Sequence, residues 1–400
     1  MKNYIAALIL TISILGFSSS ADAAWGDFDT TFGFLGAAID GNVTDHHPYA
    51  VALQADGKIL VTGYKTVGGK KRFFLRRYLS NGQIDTSFGN NGSAVSYALI
   101  DANADYYGYR IVVQANGRIA IAGVGDQLPV IWRFLSTGYA DTSIGQGGMK
   151  TFSTFENAAP RIATNANVLY VGLIEQGYTS TVVLKFNSNG TQDLSFGTSG
   201  KAITDAGNVF SLAVDPTSGN ILLSGRRRSD PNDYGIERFL TTGVLDSSFN
   251  HWNATYSEWQ GSYPSEFVRL ANGEFVLNER WANISGGITF GANIVRLSSN
   301  GLFTSRSQYE PDGVIPLGSP EGDCPDLNAQ QSDGRVILKG WNNDALFRFS
   351  TNFSTTHTMD CDSYASMDPG TQTPAVLQSD DKMVGGGTYG GYITLVRTLP

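Results

Sequence analysis

Few residues in this 400-residue chain have types and spacings that suggest chemistry. Asp101-Ala102-Asn103-Ala104-Asp105 sets side-chain oxygens at positions 1, 3 and 5, as a calcium loop does. The pattern stops there: Tyr106 stands where such a loop needs glycine, and Gly108 comes late. An ordinary polar loop is the main reading. Asp101, Asn103 and Asp105 remain the metal candidates, with calcium the one cofactor considered. The stretch from Glu310 to Asp368 is acidic. It reads as a solvated face, or as carboxylates from neighbouring repeats around a divalent cation. His46-His47 lacks the further ligands that zinc needs. Patterns of the G-x-S-x-G, H-E-x-x-H, C-x-x-C and phosphate-loop kinds are missing. An enzyme would have to assemble its site from single residues far apart in sequence. Asp45, His46, Tyr107, Arg110, Arg161 and Glu266 are the titratable residues best placed for that.

The elements that must position such residues are given by a repeat. Tyr49 to Gln54 is a strand-like run leading into the Asp56-Gly57 turn, and Lys58 to Thr62 follows as a β-branched run closed by Gly63. Phe74 to Leu79 is a third run. Ser80-Asn81-Gly82 is a hairpin signal, because Asn-Gly suits a tight type I′ turn. Ile84 to Phe88 then reads as the fourth strand. The second-strand signature recurs at Asn116-Gly117, Asn167, Gly219-Asn220, Asn272-Gly273, Asp333-Gly334 and Asp381, making seven copies. The third strand carries Arg77, Arg133, Lys185, Arg238, Arg296, Arg348 or Arg397. Eight residues after the first four of these come Asp85, Asp141, Asp193 and Asp246. Across a tight hairpin that spacing reads as a cross-strand ion pair worth up to about 1 kcal/mol. A catalytic role would not need so many copies.

At these residues the chain resembles the bacterial delta-60 repeat family. The resemblance rests on Asp56-Gly57-Lys58-Ile59-Leu60-Val61-Thr62-Gly63 and on Arg77 to Gly89, and again on Arg133 to Gly145, Lys185 to Gly197 and Arg238 to Phe249. It weakens in the last three copies, where Thr304 and Thr356 replace the aspartate. It implies a β-propeller-like fold and no particular activity.

Length alone would suggest two or three domains. The repeat overrides that, because blades share one continuous core. With 47 glycines, 16% charged residues and no amphipathic helical window, the chain reads as all-β with many turns. Met1-Lys2-Asn3, the apolar run Tyr4 to Phe17 and Ala21-Asp22-Ala23 have the layout of a secretory leader over residues 1–23. Residues 24–400 are then one domain, secreted or periplasmic. A net charge of −8 argues against nucleic acid and against an anionic membrane as partner. Cys324 and Cys361 suit one disulfide in such a compartment.

Asp29-Thr30-Thr31-Phe32-Gly33 is the end of a copy without its beginning, and Ile393 to Thr398 is a beginning without its end. The expected fold is therefore a seven-bladed β-propeller of four-stranded antiparallel blades, its last blade closed by the N-terminal segment. The loops joining strand four to strand one, and strand two to strand three, open on one face and differ from copy to copy. That face is the expected binding face. Its candidates are His46, Tyr107, Arg110, Arg161, Arg227, Trp252, Trp259, Trp281 and Trp341, since Trp and Arg offer stacking and bidentate contacts. The expected function is binding of an extracellular glycan or protein, with a glycan hydrolase or lyase as the alternative.

Overall fold

Seven antiparallel sheets follow one another along the chain and form the blades of a β-propeller. The computed structural model describes residues 27–41, 44–94, 103–178, 180–204, 206–227, 233–251, 254–255, 263–283, 289–313, 329–339, 345–351, 353, 355–360, 375–389 and 392–400. Blade 1 comprises His46–Leu53, Ile59–Val67 and Lys70–Tyr78; blade 2 comprises Tyr106–Val113, Ile119–Gly125, Leu128–Phe134 and Met149–Thr151. The first strands of neighbouring blades lie against one another, so they ring the centre. Among the described residues no helix is long and apolar enough to cross a membrane.

The core is divided into layers between blades. One layer joins Leu60, Leu75 and Phe88 of blade 1 to Ile121, Val130 and Trp132 of blade 2. Another joins Phe32, Val384, Ile393 and Leu395 of blade 7 to Ile59, Val61 and Phe74 of blade 1. Apolar residues of the second and third strands of blades 1 to 3 are thus buried on both faces of the blade.

Blade 7 is closed as the split repeat requires, by a different segment from the one expected. Ala37–Asp40 pairs with the last strand, Ala37 opposite Val396 and Asp40 opposite Ile393. Phe28 forms a lone bridge to Thr398, and Asp29 to Gly33 makes the turn between the two. The same correction holds in blade 1. Ile84 contributes a single bridge to Tyr78, and Asp85 to Gly89 is turn rather than strand. The cause is local. Asp85 Oδ1 accepts from the Ser87 amide at 3.1 Å and from the Ser87 hydroxyl at 2.5 Å, which folds the backbone back on itself.

The repeated residues are consumed in joining blades. Arg77 Nε donates to Asp85 Oδ2 at 2.9 Å, its Nη1 reaches the Ser136 carbonyl of blade 2 at 2.7 Å, and its guanidinium lies 4.3 Å over the Phe88 ring. Arg397 repeats this with Asp29, the Ser80 carbonyl and Phe32. Arg238 does so with Asp246, the Ser299 carbonyl and Phe249. The Gly89 amide donates to the Thr137 carbonyl of the next blade at 2.7 Å, as Gly197 does to Thr242. At the ring closure, Asp40 meets Arg76 at 2.7 Å and accepts from the Tyr78 hydroxyl at 3.0 Å, both deep in the protein.

Candidate functional site

Since the repeated residues hold the scaffold, distinguishing chemistry lies where the copies differ. One such difference among the described residues is at the seam of blades 1 and 2, at the end bearing the strand 2-to-3 hairpins. Five rings meet there: His47, Tyr49, Tyr64, Tyr107 and Tyr109. His47 stacks on Tyr64 at 4.5 Å, and Tyr49 stacks on Tyr109 of the next blade at 5.0 Å. Tyr107 meets Tyr64 edge-on at 5.3 Å and Tyr109 face-on at 5.8 Å. All five side chains are partly exposed.

A backbone irregularity places them. In the first strand of blade 1 the register slips between Pro48 and Ala50, and in blade 2 between Gly108 and Arg110. Tyr49 and Tyr109 are the extra residues of these two bulges, which turn both rings toward the same seam. The bulge draws the His47 carbonyl onto Gly63 and the Tyr107 carbonyl onto Gly123. A Cβ on those glycines would lie 1.9 Å and 1.8 Å from the two oxygens. The closing glycine of the repeat is therefore a clearance for the bulge. Blade 3 has no bulge, Arg161 lying opposite Gly172 in unbroken register, and there a Cβ would meet nothing nearer than 3.5 Å.

Tyr64 projects from the second strand of blade 1, where blade 2 carries Val124. The hairpin beyond it is basic. Residues 65–72 hold Lys65, Lys70, Lys71 and Arg72 with no carboxylate. The Lys71 ammonium sits 4.4 Å over the Tyr64 ring, and Arg72 Nη1 reaches the Ala104 carbonyl at 2.6 Å. Asp105 ties the seam together. Its carboxylate accepts from the Lys71 amide at 2.8 Å and lies beside Tyr107. Burial, then the neighbouring phenols, pushes the Tyr49 and Tyr109 hydroxyls above their ordinary range. Tyr107 is pushed up by burial and then by Asp105. These phenols are held as neutral donors and are poorly suited to act as bases near neutrality.

The sequence candidates fall in different places. Tyr107 is in the cluster. His46 is not: it is 7% exposed, turned to the opposite face of the strand, edge-on to Phe74 at 4.8 Å, with Nδ1 2.7 Å from the Thr44 carbonyl. Burial depresses its pKa to about 4. Its neighbour His47 takes the position in the seam, because successive strand residues face opposite ways. Arg110 follows the blade 2 bulge, and Arg161 opens the first strand of blade 3. Neither is among the five rings. Arg227 and Trp281 lie on the second strands of blades 4 and 5, and their side chains are outside the described residues. Trp252, Trp259, Trp341, Cys324, Cys361 and Asp101 are also outside them. Of the other two calcium candidates, Asn103 is exposed and Asp105 is engaged as above. Among the described residues no group of three His, Cys, Asp or Glu side chains is arranged to hold a metal ion. Tyr49, Tyr64 and Tyr109 were not singled out by the sequence. The signal available was an aromatic residue at the start of the first strand in copies one and two.

A family described as a β-propeller domain of unknown function, DUF5122, matches residues 54–88. That segment covers the second and third strands of blade 1 and its turn. No curated protein matches the chain at a significant level. Among solved structures, hydrazine synthase of Kuenenia stuttgartiensis is similar with a TM-score of 0.55 at 8% identity, over 89% of this chain and 97% of that one. The extracellular domain of a putative one-component system from B. thetaiotaomicron is similar with a TM-score of 0.50 at 10% identity, over 93% of this chain. The present chain spans 40% of that protein's length. At such identities the likeness is one of fold alone.

Proposed function

We propose that this chain is a secreted or periplasmic propeller of the delta-60 repeat type that binds an extracellular ligand at the seam of blades 1 and 2. The observation that carries the reading is the cluster of His47, Tyr49, Tyr64, Tyr107 and Tyr109 on a scaffold in which the repeated Arg77, Arg238 and Arg397 join blades. Partly exposed tyrosines give a rigid, amphipathic surface at low entropic cost, which is the chemistry of recognition. Of the two kinds of activity, binding is favoured over glycan hydrolysis or elimination. The phenols at the seam are pushed up, and the adjacent His46 is buried and pushed down to about 4, so neither supplies a base poised near neutrality.

The leader pattern of residues 1–23 supports export, and with export a Cys324–Cys361 disulfide is proposed. Intact mass of the exported, non-reduced protein should lie two hydrogens below that of the dithiol form. The binding reading is tested by screening the purified protein against soluble glycans and extracellular protein fractions, beside a Tyr49→Ala/Tyr109→Ala variant. Wild-type retention that the variant loses, at an unchanged melting temperature, supports it. Equal retention by both proteins refutes it.

A further inference from the structure

We infer that two copies of this chain associate through the end bearing the strand 3-to-4 turns, blades 3 to 5 of one against blades 3 to 5 of the other. The inference is independent of the ligand seam, which lies at the opposite end. The first observation is where apolar side chains remain in water. Leu194, Leu240, Val244, Leu245, Leu302 and Phe303 are between 39% and 72% exposed. All six lie in or beside the turns that follow Thr181–Phe186 of blade 3, Asp233–Phe239 of blade 4 and Thr289–Leu297 of blade 5. Those turns are joined from blade to blade. The Gly197 amide donates to the Thr242 carbonyl at 2.7 Å, and the Asn250 amide donates to the Asn300 carbonyl at 2.8 Å. The strand 1-to-2 turn of blade 4 abuts the same surface, since a Cβ on Gly219 would lie 3.2 Å from Thr241 and 3.3 Å from Asn165 of blade 3. Together the six residues expose on the order of 600 Å², at the upper end for a monomer.

The second observation is charge. Residues 187–192, 240–245 and 298–303 hold no Asp, Glu, Lys or Arg. The strand 1-to-2 turns of blades 3 and 4, residues 164–168 and 216–220, hold none either. The charges that flank these turns are the repeat pairs, Lys185 with Asp193 at 2.9 Å and Arg238 with Asp246 at 2.8 Å. A chain with 28 Lys+Arg against 36 Asp+Glu repels its own copies. Two copies that meet at this end bring no like charges together and bury no unpaired ion. The turns are also cheap to dehydrate. The Leu240 amide donates to the Val244 carbonyl, Gly243 to Leu240, Ser298 to Leu302 and Gly301 to Ser298, all at 2.8 or 2.9 Å, so these backbone donors are already satisfied. A twofold axis sets one patch against its identical copy, and an uncharged apolar patch complements itself. The exposed area approaches the ~800 Å² per partner that a specific dimer buries, and the Ser, Thr and Asn side chains of the turns provide a polar rim. A lipid surface fits less well, because these turns carry no Lys or Arg for headgroups. In such a dimer the two tyrosine seams face away from each other.

The test is sedimentation velocity of the purified protein at rising concentration, up to about 0.1 mM. Val244→Asp, Leu302→Asp, Leu194→Ser and Val67→Asp are run beside the wild type. Val67 is comparably exposed and lies at the opposite end, in the blade 1 strand Ile59–Val67. Wild type and Val67→Asp are expected to dimerise, and more tightly as salt screens their shared negative charge. Val244→Asp and Leu302→Asp should each weaken the dimer at least tenfold at an unchanged melting temperature. Leu194→Ser, which adds no charge, should weaken it in the same direction and keeps the test valid if an aspartate disturbs its turn. Val244→Lys should weaken it too, although it lowers the net negative charge. A dimer that Val244→Lys tightens overturns the apolar contact. A dimer that none of the variants at Leu194, Val244 and Leu302 weakens overturns the location. A wild type that stays monomeric throughout overturns the inference, and flotation of that monomer with phosphatidylcholine vesicles, lost in Val244→Asp, would reassign the surface to lipid.

Discussion

Replacing Gly63 or Gly123 by alanine should damage both the fold and the seam, whereas the same change at Gly172 should do little. Neither Gly63 nor Gly123 is among the positive-φ residues, so the cost is steric rather than conformational. A Cβ at Gly63 would sit 1.9 Å from the His47 oxygen, and one at Gly123 would sit 1.8 Å from the Tyr107 oxygen and 2.8 Å from Trp132 Cζ3. These are backbone oxygens inside a sheet, so relief requires the strand to retreat by more than an ångström. That loses ladder hydrogen bonds of about 1 kcal/mol each, and the overpacking costs ~1–3 kcal/mol. The total is ~3–4 kcal/mol at each site, which should lower the melting temperature by roughly 5 °C. At Gly172 the nearest atom to a Cβ is the Arg161 Cβ at 3.5 Å, an ordinary contact. The assay is thermal unfolding of the three single variants, followed by near-ultraviolet circular dichroism of the tyrosines. Gly63→Ala and Gly123→Ala should also lose tyrosine signal, since the displaced oxygens belong to members of the cluster. Equal melting temperatures for all three variants would refute the clearance argument.

Four further outcomes follow from the ion pairs. Arg133→Met should destabilise by only about 1–2 kcal/mol, because Asp141 loses its partner at 2.9 Å but keeps Arg118 at 2.6 Å, whereas Arg118→Met/Arg133→Met, which leaves the buried carboxylate without a cation, should cost about 3–5 kcal/mol. Lys58→Ala, at a more exposed pair, should cost less than about 1 kcal/mol by the same denaturation assay. Acid should weaken the whole ring. Burial raises Asp85, Asp141 and Asp246, but hydrogen bonds from Ser87, Ser143 and Ser248 and from the arginines outweigh it, so all three are held below the usual carboxylate value. Their contribution is complete above the unfolded value of about 3.9 and is lost as pH falls through the depressed folded values. The melting temperature should therefore be level from pH 7 to about 5 and drop steeply below about 4, with a shallower drop in Asp141→Asn. Asp29→Asn should lower the melting temperature of the entire protein in one transition, since Asp29 joins the N-terminal turn to Arg397 at 2.9 Å. A separate low-temperature transition confined to blade 7 would contradict a closed ring.

The blades were legible because their turns are written in residues with one conformational preference: the Asx-Gly hairpins, and the Arg and Asp eight residues apart. The fourth strand was misplaced because Ile84-Asp85-Thr86-Ser87-Phe88 alternates like a strand. The competing signal was Asp85 two residues before Ser87, a side chain that captures the backbone and makes a turn. His46 and His47 differ by one residue, which in a strand is a difference of one face. Of the seam, Tyr107 alone was legible in the sequence. Tyr49 and Tyr109 meet only because two bulges slip the register, and Tyr64 and Tyr107 meet only because successive blades pack. The tryptophans stand out in the loop composition, whereas the described aromatic cluster lies on strands.

The most direct measurement is a hydrogen-exchange footprint of the protein bound to a ligand retained in the screen of glycans and extracellular protein fractions. The account predicts slowed exchange in His46–Leu53, Ile59–Val67 and the start of Tyr106–Val113, with little change elsewhere. Protection confined to the loops of blades 4 to 6, or to the strand 3-to-4 turns at the opposite end, would contradict it.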